Sequence, residues 1–459
     1  MEKQYDLIVI GGGPGGYLPA LRAAAMGKKT ALIEKGQLGG TCLNSGCIPT
    51  KTYLHTSELA RKVSEAEEAG ITAEGLRVDM KRLKARKDQV IDQLRQGVAR
   101  QLKTGKVDVW QGTGRITDKN CVTVLSDGGE TVLTGEYILL AAGSEPALLP
   151  IKGIHLPAVE NSTSMLDKEV LYKRLVIIGG GVIGMEFATV YSDLGCQVTI
   201  LEAMDRILPG MDKEISQNLK MILKKRGVEI HSSAFVKEIQ KMGDGSLQCI
   251  YREKDREEAV TADGVLVAVG RKPCGVLALS EDMRQQIGQE KGYILVNENY
   301  ETSIPGIYAA GDAIGGIQLA HTATAEGYCA VAHMFGKTGK DMTAIPSCVY
   351  TDPEIACVGM TLEEAKAAGM KAKAGKYITS VNGKAVLSME ERGFIKLVME
   401  EESGKLLGAQ LMCARATDMI GGLAAAITKG LTAEDLAKTV WPHPTFCEGI
   451  GEAAEGMVM

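Results

Sequence analysis

Residues 5–16 read Tyr-Asp-Leu-Ile-Val-Ile-Gly-Gly-Gly-Pro-Gly-Gly, and residues 174–184 read Arg-Leu-Val-Ile-Ile-Gly-Gly-Gly-Val-Ile-Gly. Each is a short β-rich run that ends in G-x-G-x-x-G: Gly11, Gly13 and Gly16 in the first, Gly179, Gly181 and Gly184 in the second. A helical stretch follows each, to Met26 and to Leu194. A second β-rich run follows that, Lys29–Ile33 or Gln197–Leu201, and closes on an acid, Glu34 or Glu202. The glycines permit the tight turn and the close approach of a pyrophosphate. The helix N-terminus attracts the phosphate charge, and the acid bonds ribose hydroxyls. One such motif is a weak signal. Two complete units at the same offsets predict two dinucleotide sites, usually a held flavin and an exchanging nicotinamide. Glu202 favours NAD over NADP, because a carboxylate repels a 2′-phosphate; Arg206, nearby, pulls the other way. Pro19 falls inside the first predicted helix and costs it stability.

The bulk numbers agree. A chain of 459 residues needs more than one core. Its 55 Gly against 5 Phe and 2 Trp describe tight turns rather than an aromatic core. The net charge of -5 offers no nucleic-acid surface. The basic stretch Lys81–Lys103 is interrupted by acids, with Leu83, Val90, Leu94 and Val98 at helical spacing, and reads as a solvated amphipathic helix. No signal peptide or membrane span is expected, and no metal site. Eleven cysteines in a chain this long suggest reduced thiols in a cytoplasmic protein, so a pair with special spacing is more interesting than the number.

Such a pair stands in Gly39-Gly40-Thr41-Cys42-Leu43-Asn44-Ser45-Gly46-Cys47-Ile48-Pro49-Thr50-Lys51. On a regular helix, residues five apart are separated by roughly 140° and ~7.5 Å along the axis. A disulfide needs Cα atoms about 4.4–6.8 Å apart. Pairing of Cys42 with Cys47 therefore requires a distorted segment, for which Gly46 and Pro49 are the candidates. Zinc would call for closer cysteine spacing and more ligands.

The segment resembles the redox-disulfide motif of the pyridine nucleotide–disulfide oxidoreductase family, which includes glutathione and mercuric reductases. The resemblance extends along nearly the whole chain. Ala141-Ala142-Gly143 is similar to the turn leaving the first FAD segment, Val269-Gly270-Arg271 to the end of the NAD unit, and Ile307–Asp312 to the second FAD motif. Leu319–Ala323 is similar to the start of a helix facing the flavin, whose N-terminus would stabilise negative charge. The resemblance implies an α/β fold with two Rossmann-like dinucleotide-binding domains and a C-terminal α/β dimerisation domain. The expected division is FAD 1–145, NAD 146–272, FAD/central 273–345 and interface 346–459. Gly11, Gly13, Gly16, Glu34, Lys51, Gly143, Asp312 and Ala320 would serve FAD. Gly179, Gly181, Gly184, Glu186, Glu202 and Gly270 would serve NAD, and Glu186 would also pair with Lys51. His321 would shape the flavin site.

Near the end, Pro442-His443-Pro444-Thr445-Phe446-Cys447-Glu448 holds a histidine between prolines and a carboxylate five residues on. It resembles the family's H-P-T-x-x-E, in which the histidine is the acid/base and the glutamate orients it. A thiol must lose its proton before it attacks, and histidine titrates near neutrality. The resemblance further implies a cis His443–Pro444 bond, a histidine supplied by the other subunit of a homodimer, and a relay from a dithiol through Cys42 and Cys47 to FAD and NAD⁺. Cys47 would be a thiolate stabilised by the flavin and by protonated His443. The expected activity is that of the dihydrolipoyl-oxidising branch. The lipoyl group would belong to a partner protein of a 2-oxoacid dehydrogenase complex or the glycine cleavage system. Rival readings are weaker. Glu202 disfavours an NADPH-dependent glutathione reductase. The ending Gly456–Met459 lacks mercuric reductase's cysteine pair. A non-catalytic flavin scaffold has no need of Cys42, Cys47, His443 and Glu448.

Overall fold

The β-rich runs of both repeats become central strands of parallel sheets in the computed structural model, which describes residues 3–390 and 392–459. In the first, Lys3–Ile10 lies between Thr30–Glu34 and Gly129–Leu140, with Asp108–Gln111 outside Thr30–Glu34. The far edge of Gly129–Leu140 is shared. Its first half pairs antiparallel with Cys121–Ser126, and its last residues pair parallel with Ile307–Ala309. In the second sheet, Arg174–Ile178 lies between Gln197–Glu202 and Gly264–Val267, flanked by Glu229–Ser232 and Val159–Asn161. The cores of the two central strands, Leu7–Ile10 and Leu175–Ile178, are buried runs of Val, Ile and Leu, as parallel strands covered on both faces must be.

Two short strands connect the units. The chain leaves the first sheet through Ser144–Pro146 and returns through Arg271–Pro273, and the two pair antiparallel. A third sheet is wholly antiparallel: Ser347–Val349, Ile355–Gly359, Leu406–Met412, Phe394–Glu400 and Ala372–Ile378. Helices Ala416–Thr428 and Glu448–Val458 pack on it.

The basic stretch forms the helix Met80–Thr104, but its buried stripe is Met80, Leu83, Lys87, Ile91, Val98 and Leu102. Val90 is only half-buried and Leu94 is exposed. A solvated reading therefore fails at Lys87, whose Nζ donates to Leu166 O at 3.1 Å and Asp167 Oδ1 at 2.7 Å, tying this helix to the second unit.

Pro19 also acquires a reason. It sits mid-helix in Pro14–Ala25, against the helix Ala320–Met334. A Cβ on Gly327 would collide with the Pro19 ring and stand 2.9 Å from Gly15 O. Proline leaves Gly15 O without its helical donor, and bare Gly327 lets the second helix approach there. Gly327→Val should therefore destabilise the protein by about 1–3 kcal/mol. Gly97→Ala, in a helix interior with open space around it, should stabilise by up to about 1 kcal/mol. Denaturant midpoints of the two variants check both signs.

Candidate active site

Both glycine turns have the same construction. Gly11 and Gly179 have φ of 108° and 112°, a left-handed region open to glycine, and a Cβ on either would collide with a carbonyl, of Ala141 or Ala268. Gly16 and Gly184 bring their helices against the carbonyls of Gly11 and Gly179 in the same way. The glutamates are locked alike. Glu34 accepts from the N–H of Gly12 and Gly36, each at 2.6 Å. Glu202 accepts from Gly180 N–H and, at 2.6 Å, from Met204 N–H. Each carboxylate is fixed at the mouth of its turn, where ribose hydroxyls would lie beside a bound pyrophosphate.

One cavity of about 1310 Å³ runs between the two turns. It is lined by Gly11, Gly13, Glu34, Cys42, Cys47, Lys51, Gly143, Asp312, Ala320 and His321 on the first unit. Gly179, Gly181, Glu186, Glu202 and Gly270 line it on the second. Gly16 and Gly184 lie beneath as packing glycines. His443 and Glu448 are not among its lining residues. Bare glycine backbone, two fixed carboxylates and an elongated cavity suit FAD at the first turn and NAD at the second.

The cysteines bracket a break. Helix Gly40–Asn44 ends at Ser45 and helix Cys47–Ser64 starts two residues on, with Gly46 at φ -137°, ψ -104°. A Cβ on Gly46 would press on Thr41 O at 3.0 Å. Asn44 holds the short helix, donating to Gly40 O at 2.9 Å and accepting from Arg95 Nη2 at 2.9 Å. The distortion lies at Ser45–Gly46; Pro49 falls in the regular first turn of the second helix.

Cys42 and Cys47 stand as a hydrogen-bonded pair of thiols. The Cys42 hydrogen bond, opposed by burial and helped by Lys51, pulls Cys47 down to about 7. The same hydrogen bond and burial push Cys42 up. The thiol of lowered ionisation is Cys47, as expected, and within this chain the lowering comes first from Cys42 and then from Lys51. Lys51 Nζ reaches both oxygens of Glu186, at 2.7 and 2.8 Å.

Asp312 accepts from Ser144 Oγ, which itself accepts from Arg271 Nε at 2.7 Å. Arg271 also donates to Ser144 O at 2.6 Å and to Thr41 Oγ1 at 3.5 Å, beside Cys42. Glu326, not anticipated, accepts from Gly311 N–H at 2.7 Å, and burial pushes it up to about 7. A signal existed, since it is the only acid in the helix Ala320–Met334. Tyr350, also unanticipated, had none. His321 Nε2 lies 2.7 Å from Pro346 O.

On the third unit, His443 Nδ1 lies 2.8 Å from Glu448 Oε2, and Glu448 Oε1 accepts from Asn382 Nδ2 at 3.3 Å. The His443 side chain is 76% exposed, and its bond to Pro444 is cis. Cys447 Sγ lies 3.2 Å from Thr445 Oγ1.

Two dinucleotide turns opening on one cavity, with a pair of thiols in its wall, define a disulfide-exchanging redox protein. Residues 5–327 match the model of pyridine nucleotide-disulphide oxidoreductases, and residues 345–454 match that family's dimerisation domain. A dihydrolipoyl dehydrogenase of Bacillus subtilis (strain 168) is 39% identical, covering 99% of this chain and 98% of its own. One from Geobacillus stearothermophilus is also 39% identical, covering 98% and 95%. Among solved structures, the Cu(II) complex of the HOCl-induced flavoprotein disulfide reductase RclA from Escherichia coli superimposes with a TM-score of 0.88 at 29% identity, over 99% of both chains. LpdA from Mycobacterium tuberculosis gives 0.90 at 25% identity, over the full length of both. The chain belongs to the pyridine nucleotide-disulphide oxidoreductase family. It is an oxidoreductase whose cofactors are FAD and NAD. Among the described residues no group of three or more His, Cys, Asp and Glu could hold a metal, and no helix is long and apolar enough to cross a membrane.

Cys47 owes its depressed ionisation first to Cys42, so Cys42→Ala should raise its midpoint from about 7 toward that of an ordinary thiol. Thiolate absorbance of the reduced wild-type and variant proteins across pH reads this; an unmoved midpoint would show that Lys51 suffices.

Proposed function

We propose that this protein is a dihydrolipoyl dehydrogenase, oxidising dihydrolipoyl groups carried by a partner protein and reducing NAD⁺. The observation that carries this is the single cavity in which the thiol pair stands between the two dinucleotide turns. The reading assigns residues 1–145 with 273–345 to FAD, 146–272 to NAD and 346–459 to the subunit interface.

The first step is proton management. A dihydrolipoyl thiol gives its proton to His443 of the second subunit, and the thiolate attacks Cys42 of the Cys42–Cys47 disulfide. The S–S bond breaks and Cys47 leaves as a thiolate, the sulfur whose surroundings favour that charge. The second lipoyl thiol then attacks its partner sulfur in the mixed disulfide, its proton passing to the departing Cys42 sulfur, and cyclic lipoyl disulfide and a Cys42 thiol are released. Bound FAD supplies the two-electron connection between this dithiol and NAD⁺. Gly11, Gly13, Glu34, Gly143, Asp312 and Ala320 would hold it, with Lys51 beside its ring, and Gly179, Gly181, Glu202 and Gly270 would hold NAD. Glu448 accepts from His443 Nδ1–H, which leaves Nε2 as the base and steadies the imidazolium. Support for a histidine from the partner is that His443 is exposed and absent from its own chain's cavity. A cytoplasmic location accords with the cysteine usage, since eleven in 459 residues do not make a secreted disulfide scaffold. A 2-oxoacid dehydrogenase complex or the glycine cleavage system would provide the lipoyl-bearing protein.

NADH formation from dihydrolipoamide by the purified protein, with NADP⁺ as control, tests the substrates. Fast NAD⁺-selective turnover is expected; its absence in a flavin-loaded protein would move the substrate to another dithiol. His443→Gln should lower kcat by about 10²–10⁴. A heterodimer of Cys42→Ser and His443→Gln chains tests the shared site. It should retain about half the wild-type rate, because one site keeps both groups; if the histidine served its own chain, the hybrid would be inactive.

A further inference from the structure

The interface sheet contributes to the cavity as well. Its edge strand Ser347–Val349 runs up to the Lys51–Glu186 ion pair, and the next residue, Tyr350, touches both partners. Lys51 Nζ stands 4.5 Å from the centroid of the Tyr350 ring. Tyr350 N–H donates to Glu186 Oε1 at 3.1 Å. Tyr350 lines the cavity beside Cys47, Lys51 and Glu186, while its neighbours Val349 and Thr351 are buried. Thr351 Oγ1 donates to Pro353 O at 2.9 Å, so the backbone is anchored on both sides of the exposed ring.

We infer that Tyr350 is a positioning residue for Lys51: its ring face clamps the ammonium while its backbone N–H fixes the carboxylate that the ammonium pairs with. Lysine carries much rotamer freedom, and a carboxylate alone leaves the ammonium free to swing around it. A π-face closes that freedom, with an attraction corresponding to a factor of about 2 to 30 in the population of the clamped rotamer. The third unit, on this argument, sets the cation that faces Cys47. Glu186 and Lys51 come from the other two, so all three units meet at one charge. The inference rests on the proposed role of Lys51 as the cation serving the flavin and the Cys47 thiolate.

The test uses flavin-loaded protein and two readouts other than turnover: the flavin midpoint potential, and the rate of Cys47 alkylation at pH 7 in the dithiol form, followed on its peptide. Lys51→Met, the control for the underlying reading, should make the potential more negative and slow alkylation. Tyr350→Leu should move both the same way but less, with alkylation slowed about 2- to 10-fold. Tyr350→Phe, which keeps the ring, should restore both. Tyr350→Met repeats the loss of the ring should the leucine variant fold poorly. If Lys51→Met moves both readouts and neither Tyr350→Leu nor Tyr350→Met does, the clamp is refuted and the role of Lys51 stands. If Tyr350→Phe is as impaired as Tyr350→Leu, the ring is not the agent and the inference fails. If Lys51→Met moves neither readout, the reading of Lys51 fails and the clamp with it.

Discussion

Helix Cys47–Ser64 is the element that the rest of the molecule holds still. Its buried residues Tyr53, Leu54 and Ala60 enter a core shared by all three units. Phe187 and Tyr191 come from the second unit, and Val349, Ile355, Phe394 and Met412 from the interface sheet. Phe187, Ile355 and Met412 are fully buried, and burying a large apolar side chain contributes about 1.5–3 kcal/mol. A helix packed from three sides cannot shift without opening all three contacts, so the sulfur at its first residue and the ammonium one turn on are fixed relative to both turns. Interiors packed to crystal density transmit such constraint. Arg61, near the far end of the same helix, pairs with Asp352 beside the interface sheet, which pins the helix at its other end.

Against this rigid element the two nucleotide units repeat one turn construction but close their sheets differently. Each uses the same glycine turn and the same acid locked to two backbone N–H groups. Charge-assisted hydrogen bonds of this kind are the stronger ones, and they place the carboxylate before any nucleotide arrives. The difference is at the sheet edge. In the second unit the edge strand Val159–Asn161 precedes the repeat, whereas in the first the edge strand Ile307–Ala309 returns from beyond the second unit. That return leads into Gly311–Asp312 and the helix Ala320–Met334. Nesting one unit inside the other thus puts Asp312 and Ser144, 168 residues apart in sequence, in hydrogen-bond contact.

What was legible in the sequence was whatever repeats locally. The turns, the acids, the cysteine spacing and the proline-bracketed histidine are each contained within a few tens of residues, and their chemistry restricts which residue types will serve. The cavity joining them and the roles of Tyr350, Glu326 and Lys87 were not legible. Tyr350 looks like any strand-end tyrosine until the fold brings it to Lys51. Lys87 has the sequence neighbours of a solvated lysine; Asp88 beside it is one partner at 2.9 Å, but Asp167 and Leu166 O, which complete its burial, are delivered by another unit. Pro19 looked like a defect in its helix because its compensation, Gly327, lies three hundred residues away.

The asymmetry inside the thiol pair bears on why a separate base is required at all. A proton shared between two thiols settles on Cys42 and leaves the charge on Cys47, so the reduced pair carries one negative charge where two would repel at contact distance. The inner sulfur then needs no base of its own. The remaining proton problem is on the outer side, at Cys42 and the incoming dithiol, and the two cations held beside the cysteines do not serve it. Lys51 is held by Glu186, and Arg271 does not release its proton. A base approaching from outside meets that need, and an imidazole held by Glu448 on a rigid exposed segment is built for such an approach. On the proposed scheme, dimerisation therefore completes the proton path, while each chain alone already contains the electron path.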